Sequence, residues 1–156
     1  MNQKKYNDEL WKNKIKLANE DFSAGDISPS FKHSKAALRI AQKLFTDYKS
    51  ATPLPGSLTA VLVISYLNIA DCWAAENKKK EQILCLIEIY DYLNSLLYEH
   101  SITLALSHQI YGGASKIYLE LCQCFKEIEA WQMLNKTEKD FAALAILYQS
   151  RTSTIH

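Results

Sequence analysis

The sequence predicts an all-α protein of about three antiparallel helical hairpins, with six main helices. Apolar residues recur at steps of three and four through most of the chain, which is the spacing of one helix face. Only four glycines and three prolines occur in 156 residues, which favours long regular elements over a turn-rich β-fold. We therefore expect a single helical-repeat domain at residues 1–150 and a frayed tail at 151–156.

The first helix is predicted from the apolar stripe Trp11, Ile15, Ala18 and Phe22, because these residues follow steps of four, three and four. Charged residues fill the positions between them. Gly25 is expected to end the helix, since glycine adopts the left-handed backbone conformation at little steric cost.

The second helix is predicted to start at Ser28 and Pro29. The Ser28 hydroxyl can cap the free N–H groups, and the missing N–H of Pro29 costs nothing in the first turn. Apolar and small residues then continue at helical steps from Phe31 to Tyr48. Two helices joined by so short a turn predict a helical hairpin.

The other four helices are predicted from similar signals. The segment TPLPGS at residues 52–57 is expected to be a loop, because it contains two prolines and a glycine. Ser57 is expected to cap a third helix that ends near Glu76, and Asn77 is expected to be left-handed. The remaining three helices are predicted at about residues 81–98, 102–125 and 128–149.

The chain shows an internal echo at an offset of 52 residues. Residues 17–18 fall on residues 69–70, and Gly25 falls on Asn77. A third copy is weaker, and Gly112 and Gly113 in the fifth helix are its expected point of close helix approach. Each glycine costs about 1 kcal/mol relative to alanine inside a helix, so a packing requirement is the expected compensation.

The first hairpin resembles tetratricopeptide-like (TPR-like) repeats. The resemblance lies in a small residue, an aromatic residue, Gly-Asp at the turn and Ala-Leu in the second helix. These are Ala18, Phe22, Gly25-Asp26 and Ala37-Leu38. Ile27 replaces the expected aromatic residue, Ser30 replaces the expected alanine, and the echo is longer than the usual period of about 34 residues.

The resemblance implies an α-α superhelix whose first helices line a concave surface on which partner peptides lie. The segments LWKNKIKLANEDFSAGD and VISYLNIADCWAA are also similar to a small group of bacterial helical-repeat proteins of unassigned function. This second similarity covers roughly the first two-thirds of the chain and implies a fold rather than a chemistry.

A peptide-binding groove is predicted at Asn19, Ser65, Asn68 and Asp71. Asn68 and Asp71 stand three residues apart on the third helix and therefore share a face with Ser65, while Asn19 is the counterpart of Asp71 in the echo. Such a polar line could hydrogen-bond the backbone of a bound peptide. In the alternative interpretation these side chains bond one another inside the fold.

A second candidate site is a pocket at His108, Tyr111 and Ser115. These residues belong to the predicted stripe of the fifth helix, which is Leu104, His108, Tyr111, Ser115, Tyr118 and Cys122. A histidine bonded to a tyrosine hydroxyl inside a core is the alternative interpretation. Trp11, Trp73 and Trp131 occur once per predicted hairpin and are expected in the core.

Composition and motifs argue against several functional classes. A net charge of +1 gives no electrostatic footprint for nucleic acid. The apolar run at residues 57–75 carries Asn68 and Asp71, so we expect a buried central helix rather than a membrane span. The N-terminal sequence MNQKKYNDELWK lacks the apolar segment of a signal peptide.

The four cysteines are expected to be reduced and mostly buried, which favours the cytoplasm. Cys122 and Cys124 stand two apart on a helix, point in different directions, and are not expected to hold a metal. The sequence contains no His-Glu-x-x-His, Glu-x-x-His, phosphate-binding glycine loop or nucleophile elbow. We therefore expect no cofactor and no catalytic residue.

These features predict a non-enzymatic protein- or peptide-binding module, adaptor-like or chaperone-like, whose partner is another protein or a second copy of the chain. Two alternatives stay open. The apolar segment FAALAILY of the sixth helix favours a homodimeric structural protein. A small-molecule-binding helical bundle would use the pocket near His108 and Tyr111.

Overall fold

The structure of the protein is a computed structural model that describes residues 5–153. These residues form six α-helices and no strand. The helices are α1 Glu9–Ser23, α2 Ile27–Tyr48, α3 Leu58–Ala75, α4 Lys79–Leu97, α5 Leu104–Glu127 and α6 Trp131–Ser153. The predicted all-α class with six helices is confirmed, and the arrangement is consistent with helical repeats.

The chain divides into two compact units, with the boundary between Lys78 and Lys79. In the first unit, α2 packs against both α1 and α3, and α1 also touches α3. Small side chains on α2 allow this packing, since Ala37 and Ala41 are fully buried beside Phe45. The single domain expected at residues 1–150 stays a prediction.

In the second unit, α5 packs against both α4 and α6, and α4 touches α6. Its core consists of large aliphatic side chains, with Leu93 of α4, Ile110 and Ile117 of α5 and Leu144 of α6 almost completely buried. Burial of each such side chain contributes roughly 1.5–3 kcal/mol to folding.

Three helix-ending turns repeat at intervals of 52 residues. Gly25, Asn77 and Glu129 have positive φ angles of 82°, 59° and 56°. The N–H of each donates to the carbonyl three residues earlier, at 3.0–3.1 Å. The N–H of the next residue donates to the carbonyl five residues earlier, at 2.8–2.9 Å, which completes a Schellman motif in every copy.

These φ angles confirm the left-handed backbone predicted at Gly25 and Asn77. The corresponding turn of the third copy is at Glu129. The close approach expected at Gly112 is wrong. Gly112 is exposed, and a Cβ atom built on it would meet nothing within 4 Å.

The predicted stripe of α5 is wrong by one position. The buried residues follow Ser107, Ile110, Ala114, Ile117 and Leu121, so each lies directly before a residue of the predicted stripe. The predicted stripe residues from His108 to Tyr118 are half-buried or exposed. The polar and aromatic side chains of α5 recur at the same helical spacing as its buried residues. The sequence therefore assigned the buried face one position too late.

The caps differ from expectation at two helices. Asp26, rather than Ser28, occupies the N-cap position of α2, and its side chain makes no capping bond. Ser57 does occupy the N-cap of α3, but its hydroxyl hydrogen-bonds Tyr6 Oη at 3.3 Å and not the helix backbone.

The C-terminal tail is shorter than predicted, because α6 continues to Ser153. Residues 151–153 of the expected frayed tail are therefore helical. Residues 154–156 of that tail, and residues 1–4 of the N-terminal stretch analysed above, lie outside the described residues.

Among the described residues, α3 is the one helix long and apolar enough to cross a membrane by length and composition. Within the first unit it packs on α2, and 56% of its residues are buried. The choice between a buried helix and a membrane span stays a prediction.

The three tryptophans have different environments. Trp11 is buried, and Trp73 is half-buried with its ring 4.7 Å from that of Phe31. Trp131 begins α6 and is 55% exposed, so its expected place in the core is wrong. A position directly after the Glu129 turn leaves its side chain at the end of the unit.

Candidate functional site

Ser65 differs from the other predicted groove residues because it is completely buried. Its hydroxyl accepts a 2.7 Å hydrogen bond from Trp11 Nε1 and donates one of 2.7 Å to the Val61 carbonyl. The residue therefore joins α3 to α1 inside the first unit. It cannot contact a ligand on the surface, and its inclusion in the groove is corrected.

The other three predicted groove residues lie together. Asn19 of α1 and Asn68 and Asp71 of α3 line one surface pocket, together with Phe22 and Ser30. The pocket has a cavity volume of about 40 Å³ and is open to solvent. It lies between the C-terminal halves of α1 and α3 and the first turn of α2.

Hydrogen bonds hold the pocket walls in place. Asn68 Nδ2 donates to Asn19 Oδ1 at 3.1 Å, which links the two helices directly. Ser30 Oγ donates to the Ala18 carbonyl at 2.8 Å and accepts a weak bond from Cys72 Sγ at 3.6 Å. Burial raises the pKa of the Cys72 thiol, so it lies behind the wall as a neutral group.

The remaining polar groups suit a ligand with both donors and acceptors. The Asn68–Asn19 hydrogen bond uses the Asn68 N–H and the Asn19 carbonyl oxygen. The side-chain N–H groups of Asn19 and the side-chain carbonyl oxygen of Asn68 are the other donor and acceptor groups of this pair. Asp71 adds a carboxylate from an exposed position. Its volume of about 40 Å³ is far below the roughly 300–1,000 Å³ of pockets that enclose whole small molecules, so it does not enclose a whole small molecule.

Phe22 gives the pocket an apolar wall. The sequence placed it on the core stripe of α1, but its side chain is 39% exposed. It stands three residues before Gly25, where α1 has almost ended and α2 covers it incompletely. In the sequence, Ser30 was only a departure from the repeat pattern. In the structure it lies in the first turn of α2, lines the pocket, and its hydroxyl donates to the Ala18 carbonyl of α1.

The second candidate site is occupied by aromatic packing between α5 and α6. The Tyr111 ring stacks on Tyr148 at 4.1 Å, and the Tyr118 ring stacks on Phe141 at the same distance. His108 Nδ1 hydrogen-bonds the Tyr148 hydroxyl. His108 is exposed and Tyr111 is half-buried, so these contacts lie outside the buried core, and the use of the two residues as a pocket stays a prediction.

Ser115 adds no polar group to that site. Its hydroxyl donates to the Tyr111 carbonyl one turn earlier at 2.7 Å, which is a common bond for serine inside a helix. Burial, together with a hydrogen bond to Cys122, raises the pKa of Tyr118 to about 12, so the phenol stays neutral.

A comparison with protein families gives a match over most of the chain. The family model DUF2753, described as a protein of unknown function, matches residues 9–147. The chain belongs to this family. The matched segment includes α1 to α5 and most of α6, and therefore every residue of the pocket in the first unit. Neither the curated proteins nor the solved structures give a match.

The cysteines of this DUF2753 chain are all free thiols. Cys72, Cys122 and Cys124 are buried and Cys85 is half-buried. Within residues 5–153, no group of three or more His, Cys, Asp or Glu side chains is placed to hold a metal ion.

Proposed function

We propose that this DUF2753 chain is a non-enzymatic helical-repeat module that binds a segment of another protein in the pocket of the first unit. The supporting observation is that Asn19, Asn68 and Asp71, selected from the sequence by their positions, line one pocket with exposed Phe22. Paired carboxamides can hydrogen-bond a peptide backbone, and an aromatic wall can hold one apolar or amphipathic side chain.

The TPR-like organisation is part of the same proposal. Support comes from the Schellman turns at Gly25, Asn77 and Glu129, whose constant interval is what a repeated helix-turn-helix unit requires. The free thiols favour a reducing compartment, and we place the protein in the cytoplasm as an adaptor or chaperone-like component.

A peptide-display selection against the purified chain tests this function. Peptides that bind are synthesised, and their dissociation constants are measured for the wild type and for an Asn68→Ala, Asp71→Ala variant. The control variant, Asp91→Ala with Asn135→Ala, removes the same two side-chain types from exposed positions of α4 and α6.

We expect the pocket variant to weaken binding about tenfold, which corresponds to roughly 1.4 kcal/mol, and the control variant to leave it unchanged. Equal affinities for all three proteins would overturn the proposal. Circular dichroism melting curves serve as the check that both variants are folded.

Self-association is a second candidate, supported by the outward side chains of α6. Trp131 and Ile146 are 55% and 68% exposed, which is high for large apolar residues. Light scattering over a concentration series measures the mass, and a dimer that Ile146→Asp converts to a monomer would favour this function. A monomer at all concentrations would exclude it.

A further inference from the structure

One face of α1 is exposed although the corresponding faces of α3 and α5 are buried. This α1 outer face consists of Leu10, Asn13 and Leu17, and the two leucines are 61% and 41% exposed. The interval of 52 residues between the three Schellman turns assigns a counterpart to each position. The counterparts, all buried, are Leu62, Ser65 and Ile69 in α3 and Ala114, Ile117 and Leu121 in α5.

The packing of α2 on α3 shows what covers this face in the first unit. Gln42 Nε2 of α2 donates to the Tyr66 hydroxyl of α3 at 3.4 Å. Leu62 and Ile69 lie four residues before and three residues after Tyr66, so they share its side of α3. In the second unit α4 packs against α5 in the same way along the chain. The helix that follows one Schellman turn therefore covers the helix that precedes the next.

The last helix exposes the face that α2 uses for this contact. The α6 outer face consists of Asn135, Glu138, Ala142 and Ile146, which are all exposed. Its counterparts are Phe31, Ser34, Leu38 and Gln42 in α2 and Ile83, Leu86, Tyr90 and Asn94 in α4. The first and last of the α2 residues contact α3, and the first three of the α4 residues are buried. Within residues 5–153 no helix precedes α1 or follows α6, so the two outer faces are the two halves of one repeat interface.

The register of α2 on α3 brings the apolar side chains of the two outer faces together. The Gln42–Tyr66 pair has Ile146 and Lys14 as its counterparts. Lys14 is one turn from each leucine of the α1 outer face, so Ile146 would lie between these leucines and against the aliphatic part of Lys14. Since a helix that ends a stack normally has a polar outer face, the exposed leucines and isoleucine indicate a further packing partner.

From these observations we infer that α6 of one copy of the chain packs on the α1 outer face of a second copy, in the register of α2 on α3. The contact joins two different faces and is therefore a head-to-tail interface rather than a symmetric one. The inference rests on self-association, the second candidate function, and it adds the two surfaces and their register. Leu10, Leu17 and Ile146 do not line the pocket of the first unit, so the peptide-binding proposal is tested separately.

The register also places two carboxylates opposite each other. The Cys72 thiol of α3 interacts with the Ser34 side chain of α2, and the counterparts of this pair are the exposed Glu20 and Glu138. Because like charges repel, Glu138→Lys is expected to tighten self-association about threefold. Sedimentation equilibrium measures the change, with Asp91→Lys at an exposed position of α4 as the control for net charge. A Glu138→Lys variant that associates no more tightly than the control would overturn the inference.

Mixing two variants tests the polarity of the contact. Leu10→Asp combined with Leu17→Asp disables the α1 outer face, and Ile146→Asp disables the α6 outer face. All three side chains are exposed, so the substitutions leave the core intact, and circular dichroism serves as the check that both variants are folded. Light scattering over a concentration series measures the mass of the wild type, of each variant and of their equimolar mixture.

The wild type is expected to gain mass with concentration, and each variant alone is expected to stay a monomer. The mixture is expected to approach twice the monomer mass, because α6 of the α1 variant packs on α1 of the α6 variant. Growth should stop at the dimer, since the two faces left over both carry aspartate.

Three results would overturn the inference. A wild type that stays monomeric up to millimolar concentration would exclude self-association altogether. If the wild type associates and one variant alone associates equally well, the contact is symmetric. If the wild type associates but the mixture stays monomeric, the two outer faces do not bind each other. In the last two cases self-association stands and the head-to-tail contact falls.

Discussion

At the scale of single residues, the contact between Trp11 and Ser65 shows why a polar side chain on a predicted groove need not face a ligand. Ser65 shares a helix with Asn68 and Asp71, and the sequence placed all three together. Burial separates them, because the Ser65 hydroxyl is committed to Trp11 and Val61. Sequence spacing identifies a helix face only to within a broad angle. Which residues of that face are buried depends on how the neighbouring helix packs against it.

Replacing Ser65 with alanine is expected to destabilise the fold by about 1–3 kcal/mol, because the buried Trp11 N–H loses its acceptor. Urea unfolding measures this loss. In a double-mutant cycle with Trp11→Phe, which removes the donor, the combined loss should be smaller than the sum of the single losses. Strictly additive losses would show that the bond contributes nothing.

The thiol of Cys85 is expected to resist modification. Burial raises the pKa of this thiol to about 12, so at pH 8 its thiolate is about 1,000-fold rarer than that of an ordinary cysteine. Reaction with Ellman's reagent should be slow in the native protein and fast in denaturant, with the modified site identified by mass spectrometry. Equal rates for Cys85 in the two states would contradict this.

At the scale of helices and turns, the third copy was predicted only weakly, and its turn was not identified because the left-handed residue there is glutamate. Gly25 and Asn77 are residue types that tolerate positive φ, and the sequence reveals them. Glu129 adopts φ 56° although its side chain disfavours it, and only the backbone hydrogen bonds identify the turn. The α5 stripe was misplaced for a related reason, since half-buried aromatic residues on its α6 side resemble core residues in the sequence.

Glu129→Gly is expected to stabilise the protein by about 1 kcal/mol, because glycine relieves the cost of a left-handed backbone. Thermal unfolding measures the change. Asn77→Gly, the corresponding substitution one interval earlier, should gain less, since asparagine tolerates this conformation better. A destabilised Glu129→Gly variant would mean that the glutamate side chain has a structural role.

Gly112→Ala is expected to stabilise the protein by about 0.4–1 kcal/mol. The position is exposed inside α5, and the added Cβ meets nothing within 4 Å. Gly25→Ala serves as the control and should have the opposite sign, because its φ of 82° suits glycine alone. Loss of stability in Gly112→Ala would show that a close contact exists there after all.

At the scale of the whole molecule, the all-α class, the six helices and two of the three repeat turns followed from periodicity and from glycine, proline and asparagine positions. Asn68 and Asp71 were predicted from their three-residue spacing on α3, and Asn19 was predicted because the echo aligns it with Asp71. Phe22 and Ser30 completed the pocket only in the structure, since their roles depend on how α2 crosses the ends of two other helices. Such tertiary placement has no local sequence signal.

The central claim is that the pocket of the first unit binds another protein, and site-specific photo-crosslinking in cells tests it most directly. A photoreactive benzoyl-phenylalanine replaces Phe22 at the pocket or, as a control, the 66% exposed Leu119 of α5. We predict a discrete adduct from position 22 that is absent from position 119 and disappears when Asn68→Ala and Asp71→Ala are added. An adduct that persists in that combination, or identical products from both positions, would contradict the account.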